Sequence, residues 1–198
     1  MARTAGRPTR SKAEIQEFRS KIGKHALEIY RVEGFGAVSI RRLAKEVGCA
    51  PMTIYAHFEG KTDILRFLWA DVLRDMSHDI EKKLKSVVDA RERLRAAAQA
   101  FVDYWIDHPD HFRLVFMSND VTRADVSAFI MDEDTLAHFL MFSGFIREVH
   151  PEEHDVKMST DTLISGLIGI ALCMNTMPDY PWADAASMTN QLLSSIST

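Results

Sequence analysis

Apolar residues in this chain recur at every third and fourth position and almost never at every second. Ile15, Phe18, Ile22, Ala26 and Ile29 fall on one stripe of a helix expected over residues 12–32, because a helix returns to the same face about every 3.6 residues. Leu65, Trp69, Val72, Met76, Ile80, Leu84 and Val87 form a second stripe on a helix starting near Thr62 or Asp63. Further helical stretches are expected over 89–106, 112–117, 128–149, 156–174 and 183–196, with breaks at His108-Pro109, at the polar segment 118–125 and at Pro178 and Pro181. No segment alternates long enough to make a strand. The class expected is all-α, with about nine helices.

Composition permits a proper core: 46% of the 198 residues are hydrophobic and 26% charged. The net charge of −4 seems at first to argue against a nucleic-acid partner. Yet residues 1–62 hold 12 Lys and Arg against six Glu, and residues 63–198 hold 12 basic side chains against 22 acidic ones. A basic head therefore precedes an acidic body, which suggests two parts with different partners. The body's acidity would help confine nucleic acid to the head. The boundaries expected are a flexible basic arm over 1–11, a basic head over 12–61 and a helical body over 62–198.

Only two cysteines occur, Cys49 and Cys173, far apart. That pattern excludes a disulfide framework or a cysteine zinc site and fits a reducing cytosol, so a cytoplasmic location is expected. The basic N-terminus leads into no apolar signal segment. The longest apolar run, 163–174, has twelve residues, short of the roughly 20 that cross a bilayer. No membrane partner is expected.

The head has the parts of a helix-turn-helix. Gly34 suits the end of the first helix, Ser39 suits the N-cap of a short second one closed by Gly48, and Pro51 suits the first turn of a third. On that third helix Thr53, Tyr55 and His57 offer hydroxyl and imidazole groups to phosphates or base edges, while Pro51, Met52 and Ala56 suit thymine methyls. Arg41, Arg42, Lys45 and Lys61 are suited to neutralising phosphates. Ile54 and Phe58 are read as packing residues. Arg3, Arg7, Arg10 and Lys12 of the arm add electrostatic grip, with Gly6-Arg7-Pro8 similar to a minor-groove hook that lacks the arginine before its glycine.

Residues 38–65, and above all Ile54-Tyr55-Ala56-His57-Phe58 followed by Lys61 and an opening apolar helix, resemble the DNA-binding signature of the TetR (tetracycline repressor-like) family. The resemblance covers about residues 14–65. It implies that Ser39 and Arg41 touch the DNA backbone or groove edge. Pro51, Met52, Thr53, Tyr55 and His57 would then lie on the recognition helix, and Lys61 would bind phosphate.

Enzyme motifs fail. Gly60-Lys61-Thr62 lacks the P-loop glycine, since position 55 is Tyr. Gly34-Phe35-Gly36 lacks both the third glycine of a dinucleotide site and a preceding strand. No Gly-x-Ser-x-Gly elbow occurs. His108/His111, His150/His154 and the set Asp71, Asp75, His78 and Asp79 would hold a metal only if they converged in space. The two histidine pairs are read as solvated groups at helix breaks, the third set as one face of a helix, and no cofactor is expected. A helical metal enzyme is the rival from another class, and a DNA-binding regulator without a small-molecule effector is the rival within the same class. The segment His108-Pro109 to Phe112-Arg113-Leu114 also resembles one that recurs in TetR-type effector domains.

Seven of the eleven phenylalanines lie between positions 101 and 145. Such a cluster suits a core or a cavity for a hydrophobic or aromatic effector, and the family resemblance implies such a pocket. The lining residues expected are Trp69, Phe101, Trp105, Phe116, Phe139, Phe142 and Met174, with Tyr104 and His138 as polar anchors. The last two helices carry Ser165, Gly166 and Gly169, which permit close approach. By family analogy they form a homodimer interface through Leu163, Gly166, Leu167, Ile170, Leu192 and Ile196. Together these expectations describe a dimeric repressor on a palindromic double-stranded DNA operator, released by a small hydrophobic effector.

Overall fold

The computed structural model describes residues 11–118, 122–131, 133–152 and 154–196, without the side chains of Arg123, Glu133, Asp134 and Ile196. Among the described residues there are ten α-helices, one 3-10 turn and no strand. They are α1 (Lys12–Glu33), α2 (Ile40–Val47), α3 (Pro51–Tyr55), α4 (Lys61–Leu84), α5 (Ala90–Asp107), α6 (Pro109–Phe116), α7 (Arg123–Ile130), α8 (Glu133–Val149), α9 (Val156–Thr176) and α10 (Ala185–Ile196), with the 3-10 turn at Phe35–Ala37. The chain divides into two compact units, Met1–Leu68 and Trp69–Thr198.

Local chemistry explains the helix ends. Ser11 and Glu14 form a capping box at α1, the Glu14 N–H donating to Ser11 Oγ at 3.2 Å and the Ser11 N–H to Glu14 Oε2 at 2.7 Å. Thr122 and Asp125 do the same at α7. That box starts a helix inside the segment 118–125 expected to be irregular, and it explains why the 128–149 stretch resolves into α7 and α8. α6 begins at Pro109 rather than near Phe112, because a proline in the first turn loses no helical hydrogen bond. Asp89 and Asp155 cap α5 and α9.

In the first unit α1 packs on the 3-10 turn and α2, and α2 packs on α3. Ile22, Ala26, Leu43, Ile54, Phe58, Ile64 and Leu65 are fully enclosed there. The apolar stripe of α1 overreaches at its start, where Ile15 is 36% exposed. In the second unit α5 is the central element, packed by α6, α8, α9 and α10. α9 is 21 residues long and, by length and composition alone, apolar enough to cross a membrane, longer than the twelve-residue run expected to exclude it. In the fold its Thr160, Leu163, Leu167 and Ala171 are buried within the unit.

Candidate functional site

The helix-turn-helix of the first unit is built by short-range chemistry. Ser39 is extended and its Oγ accepts from the Arg42 N–H at 3.3 Å, so this hydroxyl caps α2. Gly48 closes α2 in the left-handed region, at φ 76° and ψ 41°, where a side chain would be strained. Pro51 then opens α3. Ile54 and Phe58, at 0% and 1% exposure, anchor α3 from below. The opposite side is left open: Pro51, Ala56, Met52 at 74% and Tyr55 at 52% exposure. Thr53 and His57 are half-buried flanking residues, and the His57 ring leans on Phe18 with centroids 4.9 Å apart. The structure thus brings Pro51, Met52 and Tyr55 onto one exposed face.

The cations differ in their freedom. Arg41 and Lys45 are exposed. Arg42 is not free: it makes a two-point pair with Glu33, one arm at 2.7 Å, which holds the Glu33 carboxyl below the usual carboxylate range and raises Arg42. The pair is solvent-exposed, and exposed ion pairs are weak, so a phosphate would compete with Glu33 for Arg42. Lys61 folds back over the Phe35 ring, its Nζ 4.3 Å from the centroid and 3.5 Å from the Gly36 carbonyl. Arg3, Arg7 and Arg10 lie outside the described residues, and Lys12 opens α1.

Two further cations of α1 contribute that periodicity did not single out. Arg19 donates through Nη1 to the His57 carbonyl just past the end of α3. Its guanidinium lies over the rings of Phe58, at 4.3 Å, and Phe67, at 5.1 Å. Lys21 Nζ donates to the Val47 carbonyl at the end of α2, at 3.4 Å. Each places positive charge where a helix C-terminus is electronegative. Both reach across gaps of more than twenty residues, so only a basic residue on α1 was visible in the sequence.

The second unit contains a cavity of about 350 Å³. Trp69, Phe116 and Phe139 of the expected candidates line it, together with Val115, Ser118, Val126, Ile130 and Ile168, aliphatic and polar residues that an aromatic cluster does not mark. The remaining candidates lie elsewhere. Phe101, Trp105 and Phe142 are 3%, 0% and 0% exposed and pack edge to face on one another, Phe101 at 5.9 Å from Trp105 and 5.7 Å from Phe142. Met174 is half-buried. His138 Nδ1 is paired with Ser77 Oγ at 2.7 Å.

Tyr104 is committed as well. Its hydroxyl donates to the Val72 carbonyl at 3.2 Å and lies 2.9 Å from His111 Nδ1, which in that arrangement carries the proton and donates back. His108 stacks on both rings, at 4.4 Å from Tyr104 and 5.1 Å from His111. Burial, with Asp75 and Asp110 nearby, pushes the Tyr104 hydroxyl far above its ordinary pKa. Folded Tyr104 therefore keeps its proton where the unfolded chain releases it, and stability falls as pH rises past about 10. Tyr104→Phe is expected to lose about 1–2 kcal/mol at neutral pH and to lie closer to wild type at pH ~11, read as urea midpoints at the two pH values.

The expected interface residues also separate. Leu163 and Leu167 are 0% exposed within their own chain, and so belong to the core. Gly166 is covered by Leu192 of the same hairpin, whose methyl groups would overlap a Cβ placed there. Ile170 is half-buried, and the side chain of Ile196 lies outside the described residues. The open stripe of α9 is instead Met158, Thr162, Ser165, Leu172 and Thr176, with Gly169 facing empty space. Among the described residues no three His, Cys, Asp or Glu side chains converge to hold a metal.

Comparison with known proteins agrees with the head. Residues 22–67 match the family model of bacterial regulatory proteins, tetR family. The HTH-type transcriptional activator FasR of Mycolicibacterium smegmatis is 26% identical over 157 residues, 79% of this chain and 69% of that protein. The HTH-type transcriptional regulator SAR2658 of Staphylococcus aureus is 25% identical over 159 residues, 78% of this chain and 80% of its own. Among solved structures, the transcriptional regulator FadR from Bacillus subtilis in complex with stearoyl-CoA superposes with a TM-score of 0.71 at 19% identity, over 89% of this chain and 96% of that one, a likeness of fold. With regulators as relatives over most of its length and the same helical fold, the chain carries the DNA-binding head of the bacterial regulatory proteins of the tetR family.

Proposed function

We propose that the protein is a homodimeric cytoplasmic repressor that grips a palindromic operator and leaves it when a small hydrophobic effector fills the cavity of the second unit. The observation that carries the reading is the division of α3 into a buried anchor, Ile54 and Phe58, and an exposed face, Met52 and Tyr55. In two-fold symmetry such helices enter successive major grooves about 34–36 Å apart. Effector binding would favour a dimer whose heads are spaced wrongly for those grooves. This is a population shift, so the effector must bind the DNA-incompetent form more tightly. The stearoyl-CoA complex of FadR supports ligand control in a protein of this fold.

Sequences selected from random DNA would supply the operator for the test. Tyr55→Ala is expected to weaken operator binding by about tenfold or more with an unchanged oligomeric state, and equal affinity in a gel shift would refute the recognition-face assignment. Lys61→Ala should weaken all sequences alike and reduce the salt slope by about one. FasR is named an activator, so the sign of control is read separately: deletion of the gene should raise expression from the selected operator, and a fall would identify an activator.

For the dimer, the open stripe of α9 supports a second copy. Thr162, Ser165 and Gly169 are small enough for two α9 helices to approach closely, with Met158 and Leu172 available for burial at the flanks. Gly169→Arg is expected to leave the monomer folded and shift the protein to monomer in sedimentation. Retention of the dimer would move the interface off α9.

A further inference from the structure

We infer that the cavity of the second unit takes an uncharged, largely apolar molecule of roughly a dozen non-hydrogen atoms that carries a single hydrogen-bonding group. The inference rests on the reading above that this cavity is the effector site. Size comes first. The cavity encloses about 350 Å³, and at ~30 Å³ for each water-sized group it has room for roughly twelve. It stands at the small end of the ~300–1,000 Å³ typical of ligand sites. The cavity is open on one side, and a stearoyl chain, such as the ligand of FadR carries, exceeds its volume and would extend out into solvent.

Polarity narrows the class further. Trp69, Phe116, Phe139 and Ile168 make apolar walls, and among the described lining residues there is no Lys, Arg, His, Asp or Glu. A carboxylate or phosphate entering would lose its water and meet no counter-charge, which is strongly unfavourable. Among the described lining side chains the one fixed donor, the Trp69 indole N–H, is already given to the Leu114 carbonyl at 3.1 Å. Ser118 remains. Its hydroxyl is shielded from solvent and has no hydrogen-bonding partner among the described residues, an arrangement that leaves a polar group uncompensated. Where it stands the oxygen has almost no surface open to the cavity, so a ligand hydroxyl partners it once the side chain turns about its Cα–Cβ bond to another staggered position.

The test uses the full chain and a series of probes: 1-hexanol, 1-octanol, 1-decanol and 1-hexadecanol, with decanoate and decanoyl-CoA beside them. Affinity by calorimetry should rise about fourfold for each added methylene through 1-decanol and gain nothing more at 1-hexadecanol. Decanoate and decanoyl-CoA should bind at least about tenfold more weakly than 1-decanol. Ser118→Ala should lower 1-decanol affinity by about three- to tenfold. Tighter binding of either anion, a continued gain to 1-hexadecanol, or an indifferent Ser118→Ala would overturn the inference.

The wild-type series decides the ligand class without any variant. Ile168→Trp, with Val126→Trp as a second filler checked by circular dichroism, then asks where the ligand sits. Loss of decanoyl-CoA binding on filling, where that ligand proves the tighter, would sustain the cavity as effector site and overturn the ligand class. Undiminished 1-decanol binding in both folded fillers would overturn the cavity reading itself.

Discussion

Arg19→Met is expected to lower the stability of the head by about 2–4 kcal/mol and to weaken operator binding by about tenfold or more, without changing the salt dependence of that binding. The guanidinium does two things at once: it donates to the His57 carbonyl and it lies over Phe58 and Phe67. A hydrogen bond from a charged donor is worth about 1.5–3 kcal/mol, and a partly desolvated cation–π contact about 0.5–2. Methionine keeps much of the stem's packing and removes both. The recognition face would then lose the tie at its C-terminal end while Met52 and Tyr55 themselves stay unchanged. Arg19→Lys should recover part of the stability, since an ammonium retains the charge but not the flat surface. Thermal melts and gel shifts across a salt series check all of this. A shallower salt slope in Arg19→Met would show that Arg19 contacts phosphate, and would refute its role in holding α3.

Trp105→Ala should be the most destabilising single change in the second unit, about 3–5 kcal/mol, or a fall in melting temperature on the order of 10–20 °C. Trp105 is 0% exposed and makes edge contacts with Phe101, Tyr104, Phe112 and Phe116, the nearest ring centroid 5.0 Å away. Removing it opens a void that four aromatic neighbours, themselves held by packing, are poorly able to fill. The indole nitrogen has no partner among the described residues, which makes the contrast with Trp105→Phe informative. That change gives up ring area but also removes an uncompensated N–H, so its cost should stay below about 1.5 kcal/mol. Similar losses for the two variants in urea titration would mean that the N–H is satisfied in solution.

Much of the architecture was legible in the sequence, for reasons that differ from place to place. Ser39, Gly48 and Pro51 mark their boundaries because each acts on backbone within one turn of itself. Ile54 and Phe58 announce their burial because the exposed side of so short a helix is chemically different. Segment 118–125 was misread because its acidic composition masked Thr122 and Asp125, a capping box that begins a helix. The aromatic cluster of the second unit was visible, but its division was not: Phe116 and Phe139 border the cavity, whereas Phe101 and Phe142 fill the core, and all four are the same residue. Small residues on α9 suggested close packing, yet Gly166 serves the chain's own α10 while Gly169 faces open space three residues on. That spacing brings the helix back to within about 60° of the same direction, so periodicity alone does not say how far along or around that side a neighbour will cover.

The sequence by itself determined an all-α chain with a basic head, the helix-turn-helix and the exposed face of α3, because periodicity, caps and charge act over a few neighbouring positions. The tertiary structure alone decided which cations are free and where empty space remains. Arg42 is bound to Glu33 nine positions away, Arg19 holds a carbonyl 38 positions on, and the Trp69 N–H is closed off by a carbonyl 45 positions on. Such pairings depend on how helices pack, and helices of the same period pack in more than one way.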